Sequence, residues 1–374
     1  MRELPKPVFV EVDPAAIEAE LIARYEQQSG KSLFPAQIER LFINQVAYSE
    51  TRIKAAIQNA GEKLLVRLSS GPILDYLGDL VGTRRLLAVG AVCTIQFLAT
   101  EVHAQDRSIP AGTRITTQNG AVAFLTTGQD AVLKAGTATV QARAVCETAG
   151  IVGNGWAIGQ INTLVGLPFA GVTASNVTVP TEGADDEADD RYKQRIILAP
   201  EAYTTAGSRG AYRYHALSVH QSIIDVAVRG PVDGLPDGEV AVHPLTDTGM
   251  PTSSLLEQVE GYLCGEKLRP LCDTVRASMP QRVEWRIKSH ITLYSWAEKA
   301  ATLAAVQKAA ETYARELRAG LGLDIVPEQL IARLHVAGVY RAALELPVTP
   351  LELPPHGWAD CVGIEILYAG GTDG

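Results

Sequence analysis

The residues best suited to catalysis or metal binding form an acidic cluster at 185–190. Five of the six residues at 185–190 are Asp or Glu, and clustered carboxylates bind divalent cations or share a proton in acid–base catalysis. The spacing does not fit an EF-hand loop, which alternates its oxygens around a central glycine, since Gly183 precedes the run. Bases follow at 191–195, and acids before bases complement a helix dipole. We interpret the run as a solvated helix N-terminus.

Histidines and a glycine-rich segment are the next candidates. His215 and His220 are five residues apart, which misses the i,i+4 face of a His-Glu-x-x-His zinc site. We interpret these two and His243 as surface or interface histidines. The segment 150–156 lacks the Lys-Ser/Thr pair of a phosphate-binding loop, so we interpret it as a tight β-turn.

The sequence also lacks a pattern for nucleophilic catalysis. Ser208 lies in Gly-Ser-Arg-Gly, not in the Gly-x-Ser-x-Gly of a nucleophile elbow, and it better suits a helix N-cap. The cysteines are odd in number and never form a Cys-x-x-Cys pair, which indicates reduced thiols. They are Cys93, Cys146, Cys264, Cys272 and Cys361. We therefore predict no catalytic residue, no metal and no cofactor.

Composition excludes further classes. The net charge of −9 leaves no excess of cations to neutralise phosphates, so we expect no nucleic-acid partner. No uninterrupted apolar run reaches the length of a membrane span, and the N-terminus lacks a secretory signal pattern, so we expect no membrane contact and synthesis in the cytosol. The 374 residues exceed one ordinary core and predict several domains.

The elements that would position these residues fall into distinct regions. Asp13 and Pro14 suit the first turn of a helix, and a longer helix follows with an apolar stripe over 38–64 that needs a partner surface. The next region is rich in Gly, Thr and Val, with a period-2 strand at 138–146 and an Asn119-Gly120 hairpin turn of type I′. Two helix-and-strand units close the chain.

These patterns predict an α+β multidomain protein. We expect an N-terminal arm and helical domain at 1–88, a central β domain at 89–181, and two tandem small α/β sandwich domains at 182–281 and 282–374. The first sandwich carries the acidic helix. No residue between Glu147 and Glu182 is charged, which is typical either of a Thr- and Gly-rich β domain or of an interface.

Three segments together resemble the baseplate J-like family of contractile phages. The segment 71–85 is similar to the pattern that closes the family's helical domain, 183–195 to its acidic signature with Ala188 in place of Ser, and 207–217 with 331–347 to its helix, turn and strand units. The residues that carry the resemblance are Gly71, Leu74, Asp75, Leu77, Gly78, Gly82, Arg84, Gly183, Asp185, Glu187, Asp189, Asp190, Arg195, Gly207, Tyr212, Gly338 and Val339.

The resemblance implies a structural role. The protein would be a baseplate wedge subunit in a virion tail, assembled in the cytoplasm of a bacterial host. Paired copies and a smaller tail protein would form each wedge, and about six wedges would ring the baseplate hub proteins. The alternative is a tail-associated hydrolase of cell-wall carbohydrate that uses the acids at 185–190, although a glycosidase needs two carboxylates across a cleft. A receptor-binding adhesin would need fibrous repeats, which the sequence lacks.

Overall fold

The computed structural model describes residues 4–203, 207–265 and 268–373. The chain divides into two compact units: unit 1 comprises Met1–Arg85 with Asp189–Ile197, and unit 2 comprises Leu86–Ala188 with Leu198–Gly374. Helices dominate unit 1, and unit 2 combines helices with several sheets. The predicted mixed helix and sheet class is confirmed, whereas the division into four domains stays a prediction.

Unit 1 is built from four helices: α1 (Pro14–Ser29), α2 (Ile38–Lys63), α3 (Pro72–Leu80) and nearly all of α4 (Asp189–Leu198). The first helix begins as predicted. The Asp13 side chain accepts from the N–H groups of Ala15 and Ala16, which satisfies donors that the first turn leaves free. Gly30 ends α1 in the left-handed conformation at φ 68°.

The N-terminal arm lies along α2. The Gln58 amide accepts from the N–H groups of Phe9 and Val10 and donates to the Pro7 carbonyl. The Phe9 ring packs on Gly61, where a Cβ would lie 2.7 Å from the ring. One amide therefore replaces the backbone partners that an extended arm would otherwise lack.

In unit 2 the chain first forms a curled antiparallel sheet. Its strands are β1 (Val92–Ala99), β3 (Arg114–Thr117), β4 (Ala123–Thr126), β6 (Thr139–Cys146), β7 (Ile161–Val165) and β8 (Val172–Asn176), in the order β7-β3-β4-β6-β1-β8. A small ribbon pairs β2 (Arg107–Ile109) with β5 (Ala131–Leu133). The fully buried Asn176 side chain accepts from the Ile161 N–H, which joins β7 and β8 at the two ends of the sheet. The sheet is therefore nearly a closed barrel.

Two sequence predictions in this sheet have different outcomes. The strand β6 lies where the alternation placed it, and Ala144 and Cys146 are buried on the predicted face. The hairpin between β3 and β4 is also present. Its turn is not type I′, because Gly120 has a positive φ and Asn119 does not. The Asn119 side chain instead accepts from the Ala121 N–H within a longer loop.

A small α/β layer follows in unit 2. The strands β9 (Ile223–Arg229), β10 (Glu239–Thr246) and β11 (Thr274–Ala277) form a sheet in the order β11-β10-β9, and α5 (Arg209–Leu217) and α6 (Ser253–Leu263) pack on it. Ser208 caps α5 as predicted, and Thr252 caps α6 in the same way.

The last part of unit 2 repeats this plan with longer elements. The strand β12 (Gln281–Tyr294) lies between β13 (Val339–Leu346) and β14 (Gly357–Thr372), and α7 (Lys299–Arg318) and α8 (Pro327–Leu334) pack on the sheet. Its core is apolar and buried, with Ile291, Val306 and Leu330 at 0% exposure. Helices over a short sheet form two such layers in succession.

Candidate functional site

The apolar stripe of α2 faces solvent. Its large members, each at least 50% exposed, are Ile38, Leu41, Phe42, Val46, Ile53, Ile57 and Leu64. We call these seven residues the α2 stripe. The opposite face of α2, which includes Ala47 and the Glu50–Lys54 ion pair, is the less exposed one. The partner surface that the stripe requires is therefore absent from the described part of this chain.

A second exposed apolar group lies on α3. Ile73, Tyr76 and Leu80 stand at i,i+3 and i,i+4 spacing, and Tyr76 and Leu80 are 75% and 80% exposed. The inner side of the same helix holds Leu74 and Gly78, which are buried. When exposed apolar side chains are contiguous, as here, they often mark a surface that binds another molecule.

Two of the family-like segments meet inside unit 1. The Asp189 carboxylate accepts from the Gly71 N–H at 3.0 Å and from the Arg85 guanidinium at 2.8 Å. The same guanidinium binds Asp75 at 2.8 Å. Hydrogen bonding from Gly71, together with Arg85, holds the pKa of Asp189 below its ordinary value. These contacts tie the start and end of α3 to the first turn of α4.

Tyr192 forms the buried centre of this arrangement. Its ring packs under the Arg85 guanidinium at 4.6 Å, and its hydroxyl donates to the Thr83 carbonyl at 2.7 Å. Gly78 faces the hydroxyl, and no side chain would fit there because an added Cβ would overlap it. Arg195 completes the contact by donating to the Arg84 carbonyl at 2.6 Å. Burial raises the pKa of the Tyr192 phenol.

The acids before α4 bind backbone in unit 2. Asp185, Asp186 and Glu187 accept from the N–H groups of Ile151, Ala88 and Leu86 respectively, at 2.8–3.1 Å. Glu187 is only 4% exposed. The prediction of a solvated run is wrong for this residue, because its carboxylate is buried and accepts from the Leu86 N–H.

Glu182, three residues before the acidic cluster, has a strained backbone. Glu182 is the one non-glycine with a positive φ, 68°, among residues 4–203, 207–265 and 268–373. Its carboxylate accepts from the side chains of Thr252 and Gln258 at α6, at 2.7 and 3.0 Å, and its carbonyl contacts His220 at 3.1 Å. These bonds hold the chain between the barrel and the β9–β11 layer in a conformation that an L-residue adopts at a cost.

Glycines make the same segment compact. A Cβ at Gly183 would lie 2.6 Å from the Gly150 carbonyl, and the Asn154 side chain brackets the N–H and C=O of Gly183. The predicted tight turn is present at 151–153 as a short 3-10 turn, in which the Asn154 N–H donates to the Ile151 carbonyl at 3.0 Å.

The remaining predicted residues have local roles. Gly82 turns the chain after α3 at φ 66°, and Leu77 is half-buried. Arg84 is 91% exposed and Asp190 pairs with Lys193 at the surface. In unit 2, two further groups are separate from each other. Tyr212 donates to Asp273 at 2.6 Å beside Gly207, and Gly338 packs on Ala297 next to the buried Val339.

Sequence reasoning missed three contributors, namely Arg85, Tyr192 and Glu182. It chose Arg84 of the Arg pair, although the buried contacts belong to Arg85. The spacing of the glycines around α3 gave no signal of the Tyr192 partner, which lies over a hundred residues away.

Several predictions about chemistry are settled by burial. His220 and His243 are 6% and 5% exposed, so the surface half of their interpretation as surface or interface histidines is wrong for these two. The five cysteines are free thiols in the structure. Within the described residues, no group of three or more His, Cys, Asp or Glu is arranged to hold a metal ion. None of the helices in that part of the chain combines the length and hydropathy of a membrane span.

Comparison with known proteins gives a consistent result. Three family models match the chain: the baseplate J-like protein barrel domain at residues 94–185, the baseplate J-like central domain at 204–278 and the baseplate J-like protein C-terminal domain at 286–367. Together they span about two thirds of the sequence.

Two curated relatives are similar. Baseplate protein J of Escherichia phage P2 is 32% identical over 200 residues, which are 54% of this chain and 65% of the relative. Mu-like prophage FluMu protein gp47 of Haemophilus influenzae is 36% identical over 113 residues, 29% of this chain and 30% of the relative. The matched region thus spans less than two thirds of either relative.

One solved structure is similar over most of its length. A chain in the cryo-EM structure of the anti-feeding prophage (AFP) baseplate, 6-fold symmetrised, aligns over 93% of this chain and 90% of its own, with a TM-score of 0.44 and 13% identity. A likeness at this level does not establish a common fold.

Proposed function

This chain belongs to the baseplate J-like family, and we propose that it is a structural wedge subunit in the baseplate of a contractile phage-type tail. It pairs with a second copy and with a smaller tail protein, and about six such wedges surround the hub. The site of action is the virion tail. The single observation that carries the proposal is the exposed α2 stripe, since an assembly subunit needs surfaces that its own chain leaves uncovered.

The stripe is large enough to drive association. Burial of a Leu, Ile or Phe side chain contributes about 1.5–3 kcal/mol relative to exposure. Six of the seven residues lie in the 26-residue helix and Leu64 is its C-cap. Full burial of all seven would contribute at most about 10–20 kcal/mol, which is of the same order as the entropic cost of bringing two chains together, about 4–15 kcal/mol. Left in water, the same stripe favours aggregation.

Hydrogen bonds within each unit fix its elements rigidly, as a structural subunit requires. In unit 1 the contacts of Asp189, Arg85 and Tyr192 fix α3 to α4, and in unit 2 Glu182 and the acids after it bind backbone and side chains across three elements. These contacts support a role in transmitting load between subunits. They also occupy the carboxylates on which the hydrolase alternative depended, so we propose no catalytic activity.

Co-expression with the neighbouring open reading frames tests the proposal. We expect the wild-type chain to copurify with a smaller tail protein and to contain more than one copy of itself. The double substitution Phe42→Asp with Ile53→Asp places two charges in the stripe and should release the partner. The matched control Ala55→Asp with Asn59→Asp adds the same charges to the same helix, beside the stripe, on positions that are already exposed.

The control separates loss of binding from loss of folding. Far-UV circular dichroism should be unchanged in both variants, because none of the four positions is buried. Equal copurification of wild type and the stripe variant, with folding intact, would refute the role of the α2 stripe. A wild-type chain that stays monomeric beside all of its neighbours would contradict the wedge itself.

A further inference from the structure

Two histidine rings, one from each α/β layer, lie against each other inside unit 2. His243 lies on β10, and His356 lies in the segment just before β14. Their ring centroids are 4.7 Å apart and the ring planes differ by 31°. His243 is 5% exposed and His356 is partly buried. The pair therefore forms part of the contact between the β9–β11 layer and the β12–β14 layer.

The hydrogen bonds fix how these rings are protonated. The Nδ1 atom of His243 is 3.1 Å from the Met279 carbonyl, and a carbonyl only accepts, so Nδ1 carries the hydrogen. The Nε2 atom of His243 is then a bare acceptor, and it is buried without a partner, as is Nδ1 of His356. A second proton on His243 would place a buried N–H where the described structure offers no acceptor, which is costly.

The charges around the pair also disfavour protonation. From β9 the Arg229 guanidinium acts on both rings, and it is fixed by its bond to the Asp233 carbonyl at 2.9 Å. The segment after β11 contributes only the carbonyls of Ser278 and Met279, which favour the cation. Burial is the largest effect and lowers the pKa of both histidines. The neighbouring His356 lowers the pKa of His243 further, and the Arg229 cation lowers the pKa of both.

Other contacts at this joint are not built on histidine. The Trp358 ring covers Gly249, where a Cβ would lie 2.6 Å from the ring, and Asp225 accepts from the Leu321 N–H at 2.9 Å. The histidine pair is thus a titrating element within an otherwise fixed contact.

We propose that His243 and His356 form an acid-sensitive joint, which holds the two α/β layers together while both rings are neutral and releases them when the rings are protonated. The inference does not depend on the baseplate role, because it concerns a contact within one chain. Such a joint would let the environment change the angle between two parts of the subunit.

The direction and size of the effect follow from proton linkage. Above its ordinary pKa of 6.5, a histidine is neutral in both the open and the closed state and does not affect the free energy of closing. Because its pKa is lower in the closed state, it destabilises the closed state as the pH falls below 6.5. Each linked proton changes the ratio of open to closed by up to about tenfold per pH unit, so two protons give up to about a hundredfold. We expect opening to rise between about pH 7 and about pH 5.5, by a factor of up to about a hundred.

Hydrogen exchange of the full chain measures this opening directly. The readout is the exchange of the Leu321 N–H, which donates to Asp225 on β9 across the joint, corrected for the intrinsic pH dependence of exchange. The variant His243→Asn with His356→Phe keeps the donor to Met279 and a ring in the stack, but neither residue titrates. Its opening should be independent of pH over the same range.

Two further variants keep the test decisive. His356→Phe alone removes one proton and should reduce the pH slope by about half, and it serves if the double variant does not fold. His215→Asn is the control, since burial also lowers the pKa of His215 but its ring packs on Tyr214 and Tyr262 away from the joint. The proposal is overturned if wild-type opening does not rise on acidification, if His356→Phe leaves the slope unchanged, or if His215→Asn removes it.

Discussion

Replacement of Gly78 by alanine should destabilise unit 1, although the same change inside a helix is normally favourable. Alanine stabilises an unhindered helix position by about 1 kcal/mol relative to glycine. At Gly78 the new Cβ would overlap the Tyr192 hydroxyl and lie 2.6 Å from the Thr83 carbonyl. Tyr192 is 1% exposed and hydrogen-bonded to Thr83, so it has no open space into which to move.

The magnitude follows from two costs and one gain. Overpacking of a dense core costs about 1–3 kcal/mol, and displacing the tyrosine hydroxyl from its buried acceptor costs about 1–3 kcal/mol more. After the propensity gain is subtracted, we expect the free energy of local unfolding of α3 to fall by about 1–5 kcal/mol.

Native-state hydrogen exchange of α3 peptides measures this free energy without assuming that both units unfold together. Gly261→Ala is the matched control, because Gly261 lies in α6 and a Cβ there would meet nothing within 4 Å. That variant should be stabilised locally by about 0.5–1 kcal/mol. If Gly78→Ala were as stable as wild type, the close packing of α3 on Tyr192 would be disproved.

Three further predictions concern single side chains. Asp189→Asn should lower the stability of unit 1 by about 1–3 kcal/mol at neutral pH. Because the pKa of Asp189 is lowered, its contribution to stability is present above pH 3.8 and is lost as the pH falls below that value. The urea midpoints of wild type and variant should therefore converge in acid, and a constant difference would contradict this role of Asp189. Glu182→Ala and Glu182→Gly should both be less stable than wild type in urea titrations, with the glycine variant the more stable of the two by about 1 kcal/mol because it relieves the positive φ; an equal loss would argue against strain. Burial raises the pKa of Cys93 to about 12, so a thiol reagent should modify the exposed Cys272 at least about a hundredfold faster in the folded protein, and comparable rates would mean that the barrel opens.

Local signals were predictable from the sequence. Asp13 with Pro14, Ser208 and the alternation before Cys146 each depend on a few consecutive residues, and the corresponding caps and strand are present. The Asn119 hairpin was predicted in the right place, but its turn type depends on loop length and on neighbouring strands.

Which side chains are buried could not be predicted from the sequence in the same way. The period of the α2 stripe indicates that this face seeks a partner, but a period does not state whether the partner is in the same chain. Glu187, His220 and His243 are polar residues whose burial depends on partners elsewhere in the sequence, such as Leu86 and Glu182. Arg85 and Asp189 are likewise 104 residues apart, and no local pattern links them.

The wedge proposal is tested most directly by the mass of the complex that forms on co-expression with the neighbouring open reading frames. Native mass spectrometry of the purified material should give a species that contains two copies of this chain with a smaller tail protein. The same species should be absent when Phe42 and Ile53 are replaced by aspartate. A wild-type mass equal to that of one chain alone, with every neighbour present, would contradict a role as a baseplate wedge subunit.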